Sequence, residues 1–202
     1  KELGGAQKAS ESAGGLVKSV GLLKRKYGNV FVTLDQPISL NSYLDKMGLN
    51  RDLLEADERR HLIKALAYHI VHGINCATVV TSTSLVACVF LGLRKKGIGK
   101  NELLGKAKRL LDQIKDQEDM RYRIAPELED SFEEHINESL QLFIIDKLIA
   151  VEQVNEETFY RPKEKAYLVL DYYKNSIIHL LVSDAMLAAS AYACVLEESS
   201  EI

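Results

Sequence analysis

VFVTLDQPI, residues 30 to 38, is the stretch on which the fold turns. Val30 to Leu34 are β-branched, aromatic or aliphatic, with apolar residues on both faces, and Asp35-Gln36-Pro37 stops the run. This is the pattern of a strand covered on both sides, as in a parallel sheet. A buried strand must pair its backbone groups. Yet everything from here to about residue 140 reads as helix, so no neighbour for it is in view. The expectation is therefore the last strand of a sheet whose other strands lie upstream of Lys1. In this chain it should pair at the edge of an incomplete sheet or be left exposed.

Working outward from that strand, the pattern becomes helical. "KELGGAQKASESAGGLVKSVGLLKRKYGN" before it reads as a loop and a helix. Ser10 or Ser12 suits the helix start and Gly28 the position after its end. Lys24, Arg25 and Lys26 lie in the last turn, where cations complement the helix dipole. After the strand and its exit loop, residues 50–75 form an amphipathic helix with the stripe Leu62, Ile63, Leu66, Ala67, Ile70 and Ile74. Residues 81–97 form another, capped by Thr81 or Ser82 and closed by Arg94, Lys95, Lys96 and Gly97. A third covers 101–116, with Leu103, Ala107, Leu110, Leu111 and Ile114 on one face, and a fourth covers 126–146, with Phe132, Ile136, Leu140 and Phe143. Residues 148–162 then alternate around Asn155-Glu156-Glu157 and read as a β-hairpin. Two last helices follow, over 163–175 and 176–198. The fold class expected is mostly α, with a boundary near 46–56 dividing residues 1–50 from a helical domain over 51–202.

Composition narrows the function classes. The chain has 202 residues, 47% hydrophobic, with a net charge of -3, a globular composition without a nucleic-acid tail. Helices followed by a hairpin can suggest a winged helix. But residues 127–146 hold seven acids and no Lys or Arg, whereas a recognition helix must meet phosphates with positive charge. Nucleic acid is therefore excluded as a partner. Cys76, Cys88 and Cys194 are scattered, lack zinc spacing and sit in apolar stretches, so they read as buried packing residues in a reducing compartment and not as metal ligands. The first residue is Lys1 and no signal peptide opens the chain, so the expectation is a processed protein or a piece of a longer one.

Two uncharged or nearly uncharged runs, 73–93 and 175–196, approach the length of a bilayer span. The first carries Asn75 and a Thr/Ser block. The second holds His179 and Asp184 near its centre, and a central Asp costs about 2.5 to 3.5 kcal/mol on insertion. Buried core helices are the expected reading of both. Lys24 to Lys26 and Arg94 to Lys96 read as solvated helix ends that could also meet anionic headgroups.

Four blocks, in order, resemble the glycerol-3-phosphate acyltransferases of the large bacterial and mitochondrial type. Glu2, Leu3, Gly5, Lys8, Glu11 and Ser12 match that family's "ELxGxxKxxES". Tyr27, Gly28, Val30, Val32, Pro37, Ile38, Leu40, Tyr43 and Leu44 match "YGxVxVxFxxPIxLxxYL", with Asp35-Gln36 where Gly-Glu is usual. "INCATVVTSTSLVACVFL" resembles "INxxxxVTPxxLVAxxLL", with Ser82 in place of proline, and "LDYYKNSIIHLLVSDAMLA" resembles "LxYYRNNxxHLxxxPxLxA". The resemblance spans nearly the whole chain. It implies that residues 1–50 end an α/β acyltransferase domain, that strand 30–34 is its last strand, and that 51–202 is the family's helical C-terminal region.

The resemblance also bears on "HLLVSD", residues 179–184, where a histidine and an aspartate stand at the spacing of an acyltransferase catalytic pair. The family usually has proline at the position of Asp184, and its own His/Asp pair lies far upstream. The physical reading agrees. Five steps on one helix put the two side chains about 500° apart around the axis, badly placed to hydrogen-bond, and a histidine base needs such an orienting partner. His179 is read as a core or interface histidine, and no catalytic residue is assigned in this chain.

For the complete protein the resemblance implies transfer of an acyl group from acyl-CoA or acyl-carrier protein to the sn-1 hydroxyl of glycerol 3-phosphate. The product is lysophosphatidic acid, and the acyl donor is the only co-substrate, with no cofactor or metal. A histidine oriented by an aspartate serves as the base. It further implies membrane association at a cytoplasmic face, either of a bacterial inner membrane or of the mitochondrial outer membrane. Lys8, beside Gly4 and Gly5 in a strand-to-helix loop, is the substrate-binding candidate, suited to a phosphate as a mobile point charge; a solvated loop lysine is the competing reading. Dihydroxyacetone-phosphate acyltransferases share the pattern, and a stand-alone helical interaction module is the alternative from another class.

Overall fold

The structure, a computed structural model, describes residues 29–50, 53–93, 96–117, 121–155 and 157–200, with side chains to 195. Lys8 and the expected helix between Ser10 and Gly28 lie outside the described residues. Residues 31–202 form a compact unit, mostly α with a few short strands.

The core is organised on α3 (Ser82–Gly92), which follows α1 (Leu40–Lys46), α2 (Ala56–Cys76) and the short strand β1 (Val79–Val80). Thr81 is its N-cap: the Thr81 hydroxyl accepts from the Ser84 N–H at 3.3 Å, and the Ser84 hydroxyl accepts from the Thr81 N–H at 3.1 Å. This reciprocal box satisfies two donors that a helix start would otherwise orphan. Leu85, Val86, Ala87, Val89 and Phe90 are all buried, so the helix is covered all round, as its unbroken apolar run demands.

Around it pack β2 (Ile98–Gly99), α4 (Lys100–Lys115), β3 (Arg123–Ile124), α5 (Glu127–Asp130), α6 (Phe132–Ile145), the hairpin β4 (Ile149–Val154) and β5 (Glu157–Pro162), and α7 (Tyr167–Asn175). A 3₁₀ turn over Ile178–Leu180 then leads to α8 (Val182–Ser200). α4 buries Leu103, Ala107, Leu111 and Ile114, and α6 buries Ile136, Leu140 and Phe143, close to the stripes expected from spacing. Phe143 meets Tyr173 with ring centroids 5.3 Å apart, joining α6 to α7. The expected hairpin is present, with Asn155 at φ +47° in its turn. β2 adds a third antiparallel strand, in the order β2-β5-β4, and β1 pairs in parallel with β3.

Residues 30–34 are extended, make no ladder among the described residues and are left exposed, one of the two outcomes expected for them; Val32 and Leu34 are 83% and 85% exposed. Four expectations need correction. α2 forms where its pattern places it, yet none of its residues is buried, and Ile63 and Ile74 are 61% and 62% exposed. The helix expected over 126–146 breaks at Ser131 (φ -145°, ψ 56°), and the one over 176–198 breaks after Leu180. The run 73–93 is not one helix but the end of α2, β1 and α3, of which α3 alone is a core helix. No helix among the described residues is long and apolar enough to cross a membrane.

Candidate functional site

A cavity of about 840 Å³ opens where the loop after the extended segment, α1 and the last turns of α2 converge. α2 contributes His69, His72, Gly73 and Cys76, a stripe at i, i+3, i+4 and i+7 that a helix necessarily places on one face. The loop contributes Asp35 to Ser39, and α1 contributes Ser42, Tyr43 and Lys46. α1 starts here because Pro37 ends the extended run and the Ser39 hydroxyl accepts from the Ser42 N–H at 3.4 Å.

Each side of the cleft is tied to α2 by a specific contact. The Tyr43 ring lies against the His69 ring, centroids 5.5 Å apart. Gly73 has no side chain, and a Cβ there would collide with the Asp35 carboxylate, so glycine lets the loop come against the helix backbone. His179 reaches the Asn75 backbone. The parallel pairing of β1 with β3, in which Arg123 N–H donates to Thr78 C=O at 2.9 Å, brings Arg121 to the rim.

The electrostatics are mixed. Lys46 and Arg121 supply fixed positive charge, and His69 and His72 supply imidazole nitrogens. Asp35 is the carboxylate among the lining residues. His72 Nε2 lies 3.5 Å from the Cys76 thiol, one turn on. Burial pushes the His179 imidazole below its ordinary range, offset in part by the bond to the Asn75 backbone. Nε2 of that ring is buried without a protein partner. Among the described residues no group of three or more His, Cys, Asp and Glu is arranged to hold a metal ion.

Asp184, at the spacing of a catalytic partner for His179, is held elsewhere. Its carboxylate accepts from Gln113 Nε2 at 2.8 Å and from Gln117 Nε2 at 3.3 Å. The chain also breaks between the two residues, so the pair does not even share one helix. His69, His72, Lys46 and Arg121 are not singled out from sequence, and Cys76 is read there only as a packing residue. For His69, His72 and Cys76 a signal was available on α2: residues recurring at helical spacing beside an apolar stripe; Lys46 and Arg121 lie outside that helix.

Fold and cleft together define a mostly α module with an extended segment that makes no ladder among the described residues and an open cleft of cationic and imidazole groups beside it. A family model described as the glycerol-3-phosphate acyltransferase C-terminal region matches residues 1–201. The chain belongs to that family. It is 26% identical over 194 residues to a glycerol-3-phosphate acyltransferase of Actinobacillus pleuropneumoniae serotype 3 (strain JL03), which covers 94% of this chain and 23% of the relative. It is 28% identical over 200 residues to that of Pseudoalteromonas atlantica, with 96% and 24% covered. It is 25% identical over 239 residues to the mitochondrial glycerol-3-phosphate acyltransferase 1 of Sus scrofa, with 97% and 28% covered. The chain thus spans about a quarter of the length of these relatives.

Proposed function

We propose that this chain is the C-terminal part of a glycerol-3-phosphate 1-O-acyltransferase. The observation that carries the reading is the family match over residues 1–201, together with relatives of that name that extend well beyond the matched region. The complete protein transfers an acyl group from acyl-CoA or acyl-carrier protein to the sn-1 hydroxyl of glycerol 3-phosphate. The base that removes the hydroxyl proton belongs to the part of the protein outside this chain. This region completes the fold and carries Lys8, for which a phosphate-binding role stays part of the proposal.

The test is acylation of radiolabelled glycerol 3-phosphate by the complete protein, with palmitoyl-CoA as donor and dihydroxyacetone phosphate as competitor. Formation of 1-acylglycerol 3-phosphate supports the reading. Preferential acylation of the competitor would move the protein to the sister activity, and no acylation of either would sink it. Lys8→Ala should raise the Michaelis constant for glycerol 3-phosphate or acyl-CoA several-fold with an unchanged melting temperature; equal constants leave only a loop lysine.

The reading includes association with a membrane surface at its cytoplasmic face. Its support in this chain is α8, which leaves Met186, Leu187, Tyr192 and Val195 exposed. Flotation of the complete protein with anionic vesicles tests it, and a protein that stays at the bottom of the gradient counts against it.

A further inference from the structure

One region of the surface is basic and apolar at once. It forms where the end of α6, the end of the β2-β5-β4 sheet away from the hairpin turn, and the start of α7 meet. Backbone hydrogen bonds fix the meeting: Leu148 N–H donates to Phe143 C=O at 2.8 Å, and Lys163 N–H donates to Leu148 C=O at 2.9 Å. Lys147 and Lys163 are thereby brought to the same place. A 3₁₀ turn over Glu164–Ala166 carries Lys165 into α7. Lys96 enters from β2, two residues before Ile98, which pairs with Tyr160. All four lysines are exposed. Two acids, Asp146 and Glu164, lie in the same stretch, so positive charge is in excess; Asp171 and Lys174 nearby pair with each other at 2.8 Å. Among these lysines Ile145, Leu168 and Tyr172 are 59%, 58% and 74% exposed. Lys165, Leu168 and Tyr172 share one helical face, opposite the buried Leu170. The far end of α6 has the opposite sign. Glu127, Glu129, Asp130, Glu133 and Glu134 gather on α5 and the first turn of α6. The fourteen residues of α6 set the two ends about 21 Å apart.

We infer that this region is the face the protein lays against an anionic lipid surface. The inference rests on the membrane association proposed above and deepens it, because α8 offers apolar side chains but no Lys or Arg between residues 182 and 200. The lysine stems lie along the surface and their ammonium groups reach the headgroup phosphates. Ile145, Leu168 and Tyr172 enter the boundary between headgroups and acyl chains, the depth that a tyrosine ring favours. Charge decides the occupant. A protein segment that covered the apolar side chains would also have to desolvate the lysines around them, each of which would then need a charged partner. A lipid surface supplies the anions and leaves the ammonium groups wet. The same surface repels the acids at the far end of α6, so the field of the module selects a single orientation.

The test uses the complete protein and vesicles of phosphatidylglycerol mixed with phosphatidylcholine, doped with a phosphatidylcholine that bears a diazirine high on one acyl chain. Photolabel is expected in peptides covering 163–175 and not in those covering 127–138. Lys96→Glu, Lys163→Glu and Lys165→Glu together should weaken binding to these vesicles about tenfold or more and flatten its dependence on salt. All three side chains are exposed, so the melting temperature should not move. Leu168→Ser with Tyr172→Ser should lower the photolabel in 163–175 and weaken binding to a smaller extent. Label confined to other peptides, a triple variant that keeps its affinity, or equal binding to pure phosphatidylcholine would overturn this face while leaving membrane association standing. So would a triple variant that floats normally but accepts acyl groups poorly from acyl-carrier protein and normally from palmitoyl-CoA, which would assign the lysines to an acidic protein partner. A complete protein that binds neither kind of vesicle would sink the face and the association together.

Discussion

At position 82 the family pattern has proline and this chain has serine. Proline is favoured at the first position of a helix, where its fixed φ fits and its missing N–H is not needed. Ser82 instead accepts a hydrogen bond from the Ser139 hydroxyl at 2.8 Å, in the core between α3 and α6. Ser82→Pro should therefore fold but lose about 1–3 kcal/mol, because Ser139 is left buried with an unpaired hydroxyl. Adding Ser139→Ala should recover most of that loss. Urea titration of the two single variants and the double variant checks it, and additive losses would show that the hydroxyl pair is not coupled.

His179 makes a pH prediction at the same scale. Its folded imidazole resists protonation more than the unfolded one, whose ordinary value is about 6.5. In that window the unfolded chain binds the extra proton. The stability His179 contributes is thus fully present above about pH 6.5 and is lost as pH falls toward the folded value. His179→Gln, whose amide can keep the Asn75 contact, should show a shallower loss of urea midpoint between about pH 7 and pH 5. Identical slopes would mean that the ring is solvated in the fold. The cysteines divide in a related way. Burial pushes the Cys88 thiol up to about 11, with Lys174 pulling weakly the other way, while Cys194 is exposed. Cys194 should react with Ellman's reagent at once and Cys88 only on unfolding.

At the scale of elements, helix ends supply the sharpest contrast. α1 and α6 finish in the same way. Gly48 N–H donates to Asp45 C=O and Leu49 N–H to Leu44 C=O, both at 3.1 Å. Lys147 N–H donates to Ile144 C=O at 2.9 Å and Leu148 N–H to Phe143 C=O at 2.8 Å. Both motifs require a left-handed residue after the cap, Gly48 at φ 64° and Lys147 at φ 59°. Glycine adopts this conformation freely and lysine does not. Lys147→Gly should therefore raise stability by about 0.5–1 kcal/mol, whereas Gly48→Lys should lower it by a similar amount. A Lys147→Gly variant that melts lower would show that the lysine side chain makes a contact worth more than the strain.

The elements most visible in the sequence were α3, an unbroken apolar run between clear end signals, and those whose burial follows one period: α4, α6 and the hairpin. The helix over 40–46 was hidden in what reads as an exit loop, since seven residues are too few to establish a period. Residues 30–34 show the opposite case, legible as a segment but not as a pair. Their composition is that of a strand and their backbone is extended, but a strand is a relation between two segments, and the second is not among the described residues.

For the molecule as a whole, that incompleteness predicts uneven stability. α3 is covered by α4, α6 and α7, while α2 is longer but buries none of its residues. Amide hydrogen exchange on the 202-residue chain should find the slowest amides in α3 and much faster ones throughout α2, because opening α2 exposes little apolar surface that is not already wet. Equal protection in the two helices would mean that α2 is covered in solution by a part of the chain outside the described residues.

The sequence by itself determined the mostly α class, the helix α3, the core stripes of α4 and α6, the hairpin and the family. Each follows from local periodicity or from motif order, which need no knowledge of what lies across the core. Only the tertiary structure decided the cleft. Lys46, His69, Arg121 and His179 are far apart in sequence, and no periodic signal links them. They meet because Gly73 admits the Asp35 loop, because β1 pairs with β3, and because His179 finds the Asn75 backbone. The tertiary structure also decided that the α2 stripe faces outward. An apolar face read from sequence says that something should cover it; which segment or ligand does so depends on packing between distant elements.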